Sequence, residues 1–242
     1  AIEGAGARFK RDPGLYYFSV FGKPAAKGAR GFRAEGHHFS MNVTIIDGKS
    51  GEATTFPEVF TRSVEQFPKL FRYVTSDAGL TSQSNAELVR RHNKHYVFAV
   101  KGNQPKLFEA AKLALCSSPL IASSTEQAQG KSVRRELRRA PTPNTVKFAD
   151  AKQFWSVRQV RTDANGSTIT EERFFVTSTP EDELSADSML GLVRLHWGIE
   201  NGSNWTLDMV FGEDSHSPCR IGHGMMVISW LRVLAYNLLA GF

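Results

Sequence analysis

The 242-residue chain predicts an α/β fold, a mixed sheet with flanking helices and a mostly β insertion ahead of the last helices. Three observations predict it. Residues 72–100 read strand, helix, strand, which is a βαβ unit with parallel strands and a right-handed crossover. Residues 154–177 alternate polar and apolar on both sides of Asp163-Ala-Asn-Gly166, a hairpin signal. Two later stretches, from Ser185 and from Met225, carry apolar residues at helical spacing.

Composition narrows the class. Hydrophobic residues are 41% and aromatics 11%, a globular balance that excludes a disordered chain. No apolar run is long enough to cross a bilayer, so no membrane partner is expected. There is no signal peptide, and the opening Ala1-Ile-Glu-Gly4 lacks Met, as expected of a fragment or a processed start. Two cysteines, Cys116 and Cys219, fit a reducing cytoplasm and support no disulfide framework. The net charge of +6 mildly favours a polyanionic partner.

Taken in order, Ile2-Glu3 is the tail of a strand before a Gly-rich turn. Residues 8–36 hold one strand-like run, Leu15 to Phe21, then Lys23, Lys27, Arg30 and Arg33 among Gly and Ala. Two readings stand for those bases, a solvated loop or an arm along a phosphate backbone. His37 to Ile46 is a long strand, Asp47-Gly48 a tight turn, and Glu52 to Phe56 its hairpin partner. His37 and His38 point to opposite faces and make a poor metal pair. A helix starts at Pro57, with Val59, Phe60, Val64 and Phe67 as its stripe.

The centre of the chain is Arg72 to Leu80. Tyr73, Thr75 and Asp77 share one face by period two, and Gly79 ends the strand. Thr81 or Ser82 caps a helix over 83–91, on which Ala86 and Val89 face inward. The second strand, His95 to Val100, ends in Lys101-Gly-Asn-Gln104. Ligands of open parallel sheets bind at the carboxyl ends of strands. Asp77, which could hold a metal, and Lys101, which could hold a phosphate, both lie at such an end.

A short helix follows over 104–115. From Cys116 to Thr145 the periodicity breaks down, and Lys131 to Arg139 has five basic residues in nine. That run is either an inert surface segment or a strand or loop binding phosphates. After the hairpin, Ser185 caps a helix with Met189, Val193, Trp197, Glu200, Asn204 and Leu207 on one stripe. Glu200 on that stripe is costly unless it is paired, binds a metal, or sits at a solvated edge. Gly198 and Gly202, each costing roughly 1 kcal/mol inside a helix, point to close approach of a backbone or ligand. Met225 to Leu239 is expected as a core helix.

These pieces, in this order, resemble the DDE transposases of bacterial insertion sequences, and within them the H-repeat-associated family. The resemblance rests on Ala1-Ile-Glu-Gly4, Thr75-Ser-Asp-Ala78, Tyr96 to Gln104, His196-Trp-Gly-Ile-Glu-Asn201 with Trp205-Thr-Leu-Asp208 and Glu213-Asp214, and Gly222 to Leu239. It implies an RNase H-like core over residues 1–115 and 181–242, interrupted by a β-rich insertion over 116–180. It implies three catalytic, metal-holding acids, Glu3, Asp77 and Glu200. The family has Asp where this chain has Glu3, one methylene longer, and Asp47 is the competitor for that place.

The implied cofactor is Mg²⁺, with Mn²⁺ as its substitute. The implied reaction is phosphodiester cleavage and strand transfer of an insertion sequence. The expected partner is double-stranded DNA, both transposon ends and target, with a homodimer of the chain, in the cytoplasm beside the nucleoid. Lys101, Asn103, Gln104, Arg134, Arg135, Arg138, Arg139 and His196 are the expected DNA contacts, His196 being alternatively a packed helix residue. Two other functions compete. One is a truncated, inactive relic that keeps only DNA binding, and the other is a nuclease of RNA–DNA hybrids.

Overall fold

The structure, a computed structural model, describes residues 2–5, 14–22, 37–46, 51–128, 131–198, 209–210 and 222–240. Asp47, Glu200, Asn204 and Leu207, the bases at 23, 27, 30 and 33, and the side chain of Glu3 lie outside the described residues. The chain divides into two compact units, one of residues 1–72 with 194–242 and the other of residues 73–193.

In the first unit, β1 (Ile2–Ala5), β2 (Gly14–Gly22) and β3 (His37–Ile46) form an antiparallel meander. Glu3 lies opposite Tyr17. The long strand therefore pairs with Leu15 to Phe21, not with Glu52 to Phe56. Those five residues are instead the start of α1 (Gly51–Gln66), which runs through Pro57. The reason is a stripe of Phe56, Val59, Phe60, Ser63 and Val64, all buried, with the rings of Phe56 and Phe60 stacked at 5.6 Å. One side of a helix outweighs the local alternation of Glu-Ala-Thr-Thr-Phe, because it buries two whole aromatic side chains.

The helix expected in the core is α5 (Gly222–Ala240), and it is only half that. It packs on β3 and buries Ser229 and Val233. Val227, Trp230, Leu231, Leu234 and Leu238, at spacings of 3, 1, 3 and 4, are exposed.

The second unit is a six-stranded mixed sheet in the order β4-β5-β9-β8-β7-β6. β4 (Tyr73–Ser76) and β5 (His95–Val100) are its parallel pair, joined through α2 (Gln83–Arg91). Every residue of β5 is buried, as a central strand covered on both faces requires. Ser82 caps α2 by accepting from the Asn85 N–H. The helix ends in a Schellman arrangement. Asn93 takes φ 56°, its N–H reaches the Arg90 carbonyl, and the Lys94 N–H reaches the Val89 carbonyl.

The remaining four strands are antiparallel: β6 (Leu120–Ala128), β7 (Lys131–Pro141), β8 (Gln153–Thr162) and β9 (Thr168–Thr177). Gly166, at φ 83°, turns the β8–β9 hairpin, whose loop is closed by the Asp163 N–H on the Ser167 carbonyl. β9 then pairs antiparallel with β5. α3 (Pro105–Leu115) packs across β7, β8 and β9, with Phe108 edge-on to Phe174 at 5.3 Å. α4 (Ala186–Gly198) follows, capped by the Ser185 hydroxyl on the Ser188 N–H.

Candidate functional site

Asp77 is the first residue past β4 and stands in extended conformation before a short 3-10 turn at Ala78–Leu80. The parallel register pairs Ser76 with Phe98, so the next step brings Asp77 level with Ala99, two residues before Lys101. Both carboxyl ends thus lie at one edge, as the βαβ reading requires. Asp77 is half-buried and Lys101 is exposed.

The backbone behind Asp77 is held carbonyl by carbonyl. The Asp77 carbonyl accepts from the Leu80 N–H at 3.1 Å and the Thr81 hydroxyl at 3.3 Å. The same hydroxyl reaches the Ala99 carbonyl at 2.6 Å, tying the turn to β5. Ala78 O accepts from the Asn103 amide at 2.7 Å, Thr81 O from the Gln104 amide at 2.6 Å, and Leu80 O from the Asn85 amide at 2.8 Å. Each such bond is worth about 0.5–1.5 kcal/mol net. The side-chain N–H groups of Asn103 and Gln104 therefore face the turn.

The basic run is strand β7, and alternation splits it. Arg134 and Arg138 lie on one face, Arg135 and Arg139 on the other. Arg134 is half exposed and pairs with Glu136 at 2.9 Å. Arg135 keeps only 13% of its side chain exposed, meeting Glu126 at 3.0 Å and the Gln159 side-chain amide oxygen Oε1 at 3.1 Å. Arg138 donates to the Ser118 carbonyl, and Arg139 to the carbonyl and carboxylate of Glu181. His196 is buried, at 2% exposure, on α4.

The structure brings Asp77, Lys101, Asn103 and Gln104 to one strand edge. Asp77 belongs to the second unit, while residues 3 and 200 belong to the first. Among the described residues no group of three His, Cys, Asp or Glu gathers that could hold a metal ion.

Two polar clusters in the second unit have no local signal in the sequence. At the opposite end of β5, His95 Nε2 meets Glu183 at 3.2 Å, and the Tyr73 hydroxyl donates to Glu183 at 2.6 Å. Along α2, Arg90 pairs with Asp150 at 2.8 Å, and Lys152 pairs with Asp150 at 2.9 Å. Burial raises the Asp150 carboxyl, but Lys152 and Arg90 outweigh it and hold the group below its usual value. Burial pushes the Tyr96 phenol upward, and its hydroxyl donates to the Ala149 carbonyl at 2.6 Å. The pairings of His95 and Tyr73 with Glu183 and of Arg90 with Asp150 join residues distant in sequence and are visible only once the sheet is assembled.

The chain resembles three proteins of Escherichia coli. It is 27% identical to "Putative protein YbfL" of strain K12, over 84% of this chain and 55% of that protein. It is 28% identical to "Putative transposase YncI" of strain O157:H7, over 80% and 51%. It is 26% identical to "H repeat-associated putative transposase YhhI" of strain K12, over 84% and 55%. The chain thus spans about half the length of these relatives. A family described only as a protein of unknown function matches residues 3–60. The transposase DDE domain matches residues 32–238, a span that includes Asp77, Lys101, Glu200 and the whole basic strand, with Glu3 ahead of it. That match covers most of the sequence, and the chain belongs to the transposase DDE domain family.

Proposed function

We propose that this chain is the catalytic part of a DNA transposase, cleaving and rejoining phosphodiesters of an insertion sequence. The observation that carries the reading is Asp77, a half-buried carboxylate fixed at the carboxyl end of a parallel strand, inside the span matched by the family. The RNase H-like core would comprise 1–115 and 181–242, with 116–180 as the insertion.

The family generally uses divalent metal ions. We assign Mg²⁺ to Glu3, Asp77 and Glu200, with Mn²⁺ as a substitute. Of these, Asp77 has a described side chain, and its hard oxygen donors suit such a cation. Bound there, the ions would supply Lewis-acid stabilisation of the phosphodiester oxygens and an activated nucleophile.

The chain's own residues do the rest. Lys101, exposed beside that edge, is a phosphate contact. Arg134 and Arg138 share one face of β7 and would follow the DNA backbone together. Arg135 and Arg139 share the other face, so a duplex on one face leaves two of the four to their ion pairs with Glu126 and Glu181. His196, being buried, would act through α4. Duplex DNA as ends and target, a homodimer, and a place beside the nucleoid follow from the same reading. Among the described residues no helix is long and apolar enough to cross a membrane.

The test is nicking of supercoiled plasmid DNA with Mg²⁺, by the chain and by Asp77→Ala. The reading expects nicking by the first and none by the second. One observation favours a relic that only binds DNA: residue 3 is Glu, where the resemblance implies Asp. In that case the chain binds duplex without nicking it, and Glu3→Asp restores the activity.

A further inference from the structure

We propose that Asn103 and Gln104 are positioning residues for Asp77, acting on the turn behind it rather than on DNA. The inference rests on the transposase reading for its catalytic consequence, but its geometry stands alone. Three carbonyls, of residues 78, 80 and 81, each accept from a side-chain amide. Two of the three donors come from the segment that leaves β5, and the Thr81 hydroxyl, donating to the Ala99 carbonyl at 2.6 Å, joins the turn to β5 itself.

A 3-10 turn makes poorer internal hydrogen bonds than an α-helix, and its short length gives little rigidity of its own. Here the neighbouring strand supplies what the turn lacks. The direction of the Asp77 side chain is set by the backbone at 77–81, and that backbone is set by side chains 103, 104, 81 and 85. The two amides turn back toward the turn after β4 while Lys101 stays exposed. The four-residue motif thus divides its labour. Lys101 faces outward, and Asn103 and Gln104 face inward.

This division predicts opposite phenotypes. Asn103→Leu and Gln104→Met keep side-chain size and remove the donated N–H. In the full chain they slow Mg²⁺-dependent plasmid nicking by about 10–100-fold, as loss of a supporting residue does. Affinity for a random-sequence duplex, and its salt dependence, stay as in the unaltered chain. Amide exchange at Leu80 and Thr81 speeds up roughly 2- to 12-fold, the equivalent of one lost hydrogen bond. Lys101→Met does the reverse, weakening duplex binding and flattening its salt dependence while exchange at 80 and 81 is unchanged.

Asn103→Asp adds a readout that general destabilisation would not give. Its carboxyl regains a donor when protonated, so protection of the turn returns as pH falls. That variant also serves if Asn103→Leu fails to fold. The proposal is overturned if the Asn103 and Gln104 variants lose duplex affinity as Lys101→Met does, with exchange at 80 and 81 unmoved. If the unaltered chain does not nick DNA, the transposase reading fails, and the exchange and affinity measurements still decide this proposal.

Discussion

The segment Lys101 to Gln104, which holds the turn behind Asp77, and the strand β7 both carry side chains expected from sequence as DNA contacts, and they are built differently. In the turn, neutral side chains reach backbone carbonyls across two strands, and the acid they surround is left at the sheet edge. In β7, charges are balanced pair by pair, Arg134 with Glu136, Arg135 with Glu126, Arg139 with Glu181. A motif of amides can therefore serve geometry while a motif of charges serves partly as internal lacing. What separates them is direction. Alternation along a strand sends every second arginine to the other face, whereas a turn can gather its neighbours on one point.

The comparison breaks most visibly if Asp77 is removed. Asp77→Ala should lower Mg²⁺-dependent nicking by about 10³-fold or more, with the thermal midpoint near that of the unaltered chain. A matching loss of folding would move Asp77 from chemistry to structure. Next in size is Leu137→Ala, the fully buried residue between Arg135 and Arg139. It should cost about 2–5 kcal/mol in urea unfolding, since it leaves a cavity in the sheet.

Arg135→Met should destabilise by about 1–3 kcal/mol, because Glu126 and Gln159 lose a largely buried partner. Arg134→Met should change stability by less than about 0.5 kcal/mol while reducing the salt slope of duplex binding by about one. Equal effects on both quantities would erase the difference between the faces.

The smallest effect concerns the Asp150 pair. Its carboxyl is depressed in the folded chain, so its contribution exists above the ordinary carboxylate value and is lost as pH falls through the folded one. Asp150→Asn should cost about 0.5–1 kcal/mol at neutral pH, for a partly exposed pair. The difference between variant and unaltered chain should shrink in acid, and a pH-independent difference would contradict the assignment.

Much of the site was legible because its signals are local. The strand at 95–100, the helix at 83–91 and its Ser82 cap need only alternation, spacing and a capping hydroxyl. Strands β6 and β7 were not legible as a pair. Ile-Ala-Ser-Ser-Thr-Glu and Arg-Arg-Glu-Leu-Arg-Arg carry almost no apolar alternation, and their extended form comes from pairing, β7 with β8 and β6 with β7. The segment Glu52 to Phe56 was misread for the opposite reason. Its alternation is real, but Phe56 gains more from stacking on Phe60 one helical turn later. The apolar content of α5 was read correctly and its burial was not, since hydropathy does not tell which face meets β3.

The central proposal is that Glu3, Asp77 and Glu200 are the ligands of one divalent cation site. A crystal structure of the chain grown with Mn²⁺, phased on the anomalous signal of the metal, tests it most directly. The account predicts metal density with carboxylate oxygens of Asp77 and Glu200 both in its coordination shell, at roughly the 2.1 Å of hard-cation ligands. It is contradicted if the two carboxylates lie too far apart to share ions about 4 Å from each other.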